Sequence, residues 1–247
     1  MVTALLKNLI IRRPVFIVMI IYVFISGCET LRESSKYGFN EGFYSYKAGK
    51  EKSEKVYVVA TPDTIKVYNP GDLFRGRVDT IKSISIAFPS NIKPLEFKNY
   101  VFTKKTFDLD LLTVLFKYRP SVSGFPNQLN ATFNGAVYAG YRTDIYKLSY
   151  KTGPLRSDKR TITHYAYSLG FFSGISTARI DEYVTLNRLN IQYDGFVNQS
   201  GIAAIIALDK LNFGLTYGYD YLLDKNKDVW IYQLKSWFGL SLGLNLN

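Results

Sequence analysis

A chain of 247 residues, 47% of them apolar, carries enough material for one large buried core or for a broad apolar outer surface. A single cysteine and a single histidine exclude an internal disulfide framework and a zinc centre of Cys/His type. The net charge of +11 is spread thinly, without the basic clusters and interleaved aromatics that mark a nucleic-acid surface, so no nucleic-acid partner is expected. Twenty Tyr and 17 Phe point instead to interfaces, because amphipathic rings settle where water meets hydrocarbon. Neither a metal site nor a cofactor is expected.

In the first 13 residues Lys7, Arg12 and Arg13 stand with no acid; Pro14 follows, and Val15 to Ile25 form an unbroken apolar run. A positive start, a short apolar run and small residues at its exit predict a signal peptide over residues 1–27. The run is too short to span a bilayer comfortably. Ile25-Ser26-Gly27-Cys28 resembles a bacterial lipobox: branched aliphatic, small, small, cysteine. That resemblance implies lipid on the Cys28 thiol, cleavage before it and acylation of the new amino group. Two or three acyl chains anchor stably where one would not. Glu29 stands where an aspartate would be the commonest mark for inner-membrane retention. The expected location is therefore the outer membrane, with membrane lipid as partner and the N-terminal segment periplasmic. An ordinary signal peptide with an incidental cysteine is the competing reading.

Residues 28–55 are polar and charged and read as a tether. A β pattern begins at residue 56, with Val56-Tyr57-Val58-Val59, a turn at Thr61-Pro62-Asp63, and Thr64-Ile65-Lys66-Val67-Tyr68. Val78 to Phe88 and Phe97 to Thr106 are further strand candidates, interrupted by Pro89 and Pro94. Residues 56–96 thus form an N-terminal β segment, and 97–247 the main domain.

Four stretches within the last 140 or so residues alternate. Phe238, Leu240, Leu242, Leu244 and Leu246 interleave with Gly239, Ser241, Gly243 and Asn245, and Leu211 to Tyr221 repeats the pattern against Asn212, Gly214, Thr216, Gly218 and Asp220. Tyr165, Tyr167, Leu169 and Phe171 alternate with Ala166, Ser168 and Gly170, and Leu189, Ile191 and Tyr193 alternate with Arg188, Asn190, Gln192 and Asp194. A soluble barrel alternates too, but its outer face is charged. Here the second face is small and polar, which suits a cramped lumen and leaves the large apolar set facing lipid.

These observations predict an all-β fold, a small antiparallel up-and-down transmembrane β-barrel of eight strands, or of ten if residues 144–150 or the early hairpin join the wall. Asp209-Lys210 reads as a tight turn and 222–235 as a long external loop. Counting back from a periplasmic C-terminus gives strands near 211–221, 199–208, 187–195, 163–175, 130–142 and 107–118, plus one drawn from 79–106. On that count the connections at 119–130 and 176–186 fall on the periplasmic side, where they are longer than expected.

A lipobox followed by this barrel resembles uncharacterised outer-membrane lipoproteins of the Bacteroidota. The likeness covers roughly residues 105–247 and rests on Phe107-Asp108-Leu109-Asp110-Leu111-Leu112 through Lys117-Tyr118-Arg119-Pro120, Phe133-Asn134-Gly135-Ala136-Val137-Tyr138, Gly140-Tyr141-Arg142-Thr143-Asp144 and Trp237-Phe238-Gly239-Leu240. It implies location and architecture and brings no activity with it.

Candidate site residues follow from the alternation. Arg142, Arg188, Asp194 and Asp220 fall on the inward face and read as a charge network plugging the lumen. Trp230, Tyr232 and Trp237 flank the last loop and read as interface anchors. His164 and Ser168 share one face of a strand, but four residues span about 13 Å, too far for a base to reach its hydroxyl. No catalytic residues are expected. The expected role is structural or accessory, within an envelope complex whose partner is another outer-membrane protein. A lipocalin-like periplasmic carrier of an apolar ligand is the alternative, with a membrane-embedded lipid hydrolase behind it.

Overall fold

The computed structural model describes residues 38–49, 52–61, 64–70, 78–87, 100–132, 134–152, 158–208 and 211–245. The signal peptide, Cys28, Pro62-Asp63, Pro89, Pro94 and Asp209-Lys210 lie outside them. The described residues form strands joined by turns, with no helix: β1 (Gly42–Ala48), β2 (Glu54–Ala60), β3 (Thr64–Pro70), β4 (Val78–Ala87), β5 (Tyr100–Arg119), β6 (Gln128–Asn130), β7 (Asn134–Thr152), β8 (Asp158–Ile180), β9 (Tyr193–Leu208), β10 (Leu211–Leu222) and β11 (Ser236–Asn245).

All the pairings are antiparallel, and the sheet runs β11-β10-β9-β8-β7-β5-β1-β2-β3-β4, ten strands on one path, with β6 added beside β5. Pairing of β11 with β5 closes β5, β7, β8, β9, β10 and β11 into a ring of six. The fold is thus an all-β, antiparallel, up-and-down barrel with its first four strands continuing the same sheet.

The length of β5 makes both parts possible. Its first residues, Tyr100 to Thr103, pair with β1, while Asp110 to Tyr118 pair with β11 on the same edge. Its other edge pairs with β7 from Tyr100 to Thr113. One edge therefore serves the open sheet first and the closed ring second.

Two strands turn out longer than alternation alone suggests. Residues 100–119 are one strand, and so are 193–208, whereas the sequence pattern divides each in two. Residues 187–192 belong to a turn segment after β8. Merging these pieces leaves six strands in the ring and reverses the direction of every ring strand before residue 187. The connections that follow β5, β8 and β10 then leave from one end of the barrel, while the end of β9, the start of β10 and the end of β11 lie at the other. The long connections at 119–130 and 176–186 are no longer anomalous. Further upstream, β1 occupies Gly42–Ala48 inside the expected tether, its Tyr44 and Ala48 buried despite the flanking charges.

The barrel wall is apolar outside. Leu169 is 64% exposed, Phe171 74% and Leu215 65%, and Phe107, Tyr141, Ile206 and Leu240 stand out alike. Among the described outward positions of 107–118, 135–141, 165–175, 196–206, 213–221 and 238–242, none is Asp, Glu, Lys or Arg. Inside stand Asp108, Asp110, Asn134, Arg142, Ser168, Ser176, Gln199, Thr216 and Asp220, all buried.

This polarity is inverted in the open sheet. Tyr44, Val56, Val58, Ile65 and Val67 pack with Phe102, Tyr146 and Leu148 in an ordinary apolar core. Phe102 and Tyr146 occupy the same faces of β5 and β7 that carry Asp108 and Arg142 a few residues further on. The switch comes between Phe102 and Asp108 on β5: the buried face turns polar as the exposed face passes from Lys105 to Phe107.

Candidate functional site

Six strands leave less room than the eight that side chains just fill, so the lumen is solid. Leu112, Val114, Ala136, Tyr138, Phe172, Ala203, Ile205 and Trp237 pack across its middle. Gly218 is required here: a Cβ on it would lie 2.8 Å from the Trp237 ring and 3.0 Å from the Phe172 ring.

A cluster of charges closes the long-loop end. Asp220 on β10 accepts from Lys117 Nζ at 2.9 Å and from Trp237 Nε1 at 2.9 Å through Oδ1, and from Arg119 through Oδ2. Lys117 also donates to Ser176 Oγ at 3.1 Å and lies 4.4 Å from the Trp237 ring centroid. Four strands, β5, β8, β10 and β11, are thereby tied together. Removing one partner of a buried pair would strand a charge, so the cluster strongly favours one register.

Lys117 and Arg119 reach the lumen only because β5 has a bulge. Phe116 pairs with Leu240 and Val114 with Ser241, which leaves Leu115 as the extra residue. Inward positions are even-numbered up to Val114 and odd-numbered from Lys117. If Leu115 and Phe116 took alternate faces as in a regular strand, the two cations would face outward.

Above this cluster the loops form a cap. Trp230 and Tyr232 are buried with Val184, Ala178, Ile180, Val197 and Leu222, and Ile231 N–H donates to Val184 O at 3.0 Å. The Arg119 guanidinium lies 5.5 Å from the Trp230 ring and 5.2 Å from the Tyr232 ring, within cation–π range.

At the other end Asp144 Oδ1 accepts from Arg142 Nε at 2.9 Å and meets His164 Nε2 at 2.8 Å. The His164 ring stacks on Tyr146 at 4.4 Å. Ser168 bonds to Tyr138 OH at 2.7 Å instead. His164 and Ser168 are therefore engaged with different partners.

Of the four expected lumen charges, Arg142 and Asp220 are inside, but not together. Arg142 pairs opposite Thr106 of β5, and Asp220 bonds Lys117, eleven residues along that strand. Arg188 and Asp194 do not belong to the lumen. Arg188 lies exposed in the segment after β8, and Asp194 is an exposed outward residue of β9, whose inward positions are odd-numbered. The three aromatics also require correction as interface anchors. Trp237 is buried in the lumen, and Trp230 and Tyr232 are buried under the cap. Position beside a loop was the signal, and it does not distinguish a ring facing lipid from one plugging the mouth. Lys117, Arg119 and Asp144 were missed; two successive outward apolars, Leu115-Phe116, were the trace of the bulge that brings two of them in.

Among the described residues no group of three His, Cys, Asp or Glu side chains is placed to hold a metal ion. Comparison with protein-family models, curated proteins and solved structures found no match.

Proposed function

We propose that this protein is an outer-membrane lipoprotein whose six-stranded barrel sits in the bilayer as a solid plug, serving as a structural or accessory subunit and not as a catalyst. The observation that carries this reading is the inversion of polarity along β5. An aqueous protein has no use for a charge-free apolar exterior around a charged interior, whereas hydrocarbon favours that arrangement. The inversion near residues 105–107 then marks the edge of the bilayer.

Dimensions agree. From Tyr165 to Ile175 the outward face of β8 covers ten residue steps, about 33 Å of strand at ~3.3 Å each. A tilt of about 40° reduces this to about 25 Å, the usual height of a lipid-facing band. Outward tyrosines gather at both ends, Tyr141 and Tyr167 at one and Tyr118 and Tyr219 at the other.

Lipid on Cys28 would place the open sheet β1–β4 in the periplasm and the three long loops outside, because β5 begins and β11 ends at the same end of the six-stranded ring. The filled, charged lumen favours this reading over the carrier of an apolar ligand. The test is to replace residues 1–28 with a cleavable leader lacking a lipobox and to wash membranes with alkaline carbonate. The barrel is expected to stay in the membrane fraction and to run faster unheated than heated on a detergent gel. Full release without detergent would overturn the proposal.

A further inference from the structure

Lysines scattered through the sequence come together on one face of the sheet, where the barrel meets the open strands. Outward positions on β1, β2, β7 and the first half of β5 are odd-numbered. Lys47 of β1 lies opposite Val101 of β5, and Val101 lies opposite Lys147 of β7. The two lysines therefore flank one valine, about 10 Å apart across two strand spacings. Two residues nearer the barrel, Ser45, Thr103 and Ile145 stand in line, with Lys55 of β2 opposite Ser45. Two residues further on, Lys105 lies opposite Thr143. All four lysines are exposed.

The face carries little to balance them. No Asp or Glu occupies the outward positions within 43–47, 55–59, 101–105, 143–147 or 161–165. Among the described residues none of the four lysines forms an ion pair. Glu41, just before β1, accepts from the Tyr57 hydroxyl at 2.6 Å. Aromatic rings stand between the charges: Lys147 Nζ lies 5.6 Å from the Tyr165 ring centroid, and Phe43 meets Tyr57 edge to face at 4.9 Å.

We propose that this lysine face binds the headgroups of anionic phospholipids in the leaflet that the barrel meets at this end. The proposal rests on the membrane reading above, which puts the bilayer edge at residues 105–107. The sheet is continuous, so the lysine face is the one that turns to hydrocarbon further along β5 and β7. Lys105 stands at the edge. The row of Lys147 comes four residues earlier on β5, about 13 Å of strand, or about 10 Å below the edge at a tilt of about 40°. The headgroup layer is about 5–8 Å deep on each side, and a lysine side chain can reach up to it along apolar surface. Unpaired cations call for phosphate, and rings beside them suit the same layer.

The full chain is reconstituted into phosphatidylcholine vesicles holding a trace of spin-labelled phosphatidylglycerol or spin-labelled phosphatidylcholine. The motionally restricted fraction of each label is read by electron paramagnetic resonance. Phosphatidylglycerol should be preferred about three- to tenfold at low salt, and the preference should fall towards parity as salt shortens the screening length. Lys47→Gln, Lys105→Gln and Lys147→Gln together should bring the low-salt preference below about twofold. Lys225→Gln with Lys235→Gln, at exposed positions after β10, should leave it unchanged. Equal restriction of both lipids, an undiminished preference in the triple variant, or an equal drop in the Lys225/Lys235 pair would overturn the proposal and leave the barrel in the bilayer. Absence of restricted lipid of either kind would overturn the membrane reading, and this proposal with it.

Discussion

Trp237 donates its indole N–H to Asp220 at 2.9 Å, so that the chain's second tryptophan works as a lumen hydrogen-bond donor and not as a membrane anchor. The two residues belong to adjacent strands, and the same carboxylate holds the two cations of β5. Asp220→Ala would leave Lys117 and Arg119 buried and unpaired. A loss of about 3–5 kcal/mol in unfolding free energy is expected, read from urea midpoints in detergent. Trp237→Phe removes one hydrogen bond and part of a ring and should cost clearly less. Equal stability of Asp220→Ala and the parent would show that the clamp does not hold the barrel.

The bulge at Leu115 offers a test of face specification. Deleting Leu115 turns the β5–β11 ladder regular while keeping Lys117 and Arg119 inward, since Phe116 takes the vacated outward place. This variant should still give a compact, heat-modifiable band. Inserting one alanine after Phe116 turns both cations outward and Tyr118 inward. That variant should lose the compact band, because a one-residue slip moves every later side chain to the other face.

Tyr44 links the open sheet to pH. Its hydroxyl donates to Asn40 O at 2.7 Å, and burial pushes its pKa well above the ordinary value near 10, with Asp144 adding to the rise and the Asn40 bond opposing it. A raised folded pKa means that the contribution of Tyr44 is complete below pH ~10, where the unfolded phenol titrates, and is lost as pH climbs towards the folded value. Limited proteolysis before β5 should therefore accelerate above pH ~10 while the barrel fragment persists. Tyr44→Phe should flatten this rise; an identical profile would assign the alkaline loss to other groups.

Much of this was legible in the sequence because strand faces repeat every second residue. The phases of β8, β10 and β11 follow directly from Leu169, Phe213 and Leu240 against Ser168, Asn212 and Ser241. What alternation does not carry is where a strand ends. Alternation ends one strand near residue 195, yet Gly195 is buried within the continuous β9, where a Cβ would lie 2.7 Å from the end of the Leu222 side chain. Nor does alternation carry across a bulge, which is why Lys117 and Arg119 escaped notice although their strand was recognised. Partners of Arg142 and Asp220 depend on ring closure, and the β5–β11 pair that closes it joins residues more than a hundred positions apart.

Leu169 and Ser168 separate the membrane reading from an aqueous one at a single point on β8. Leu169 faces outward and is largely uncovered, while Ser168 faces inward against Tyr138. On a protein surrounded by water, Leu169→Arg would be a surface change within about 0.5 kcal/mol of neutral. In the middle of a hydrocarbon band the same substitution costs about 2–4 kcal/mol. The expected result is a marked loss of folded barrel in lipid vesicles, measured by heat-modifiable migration. The loss should shrink in Tyr165→Arg, nearer the edge of the band, where the side chain can reach water. A flat response at both positions would mean that no hydrocarbon lies against this face. A loss at both without the depth difference would point to a packed protein partner covering the wall instead of lipid.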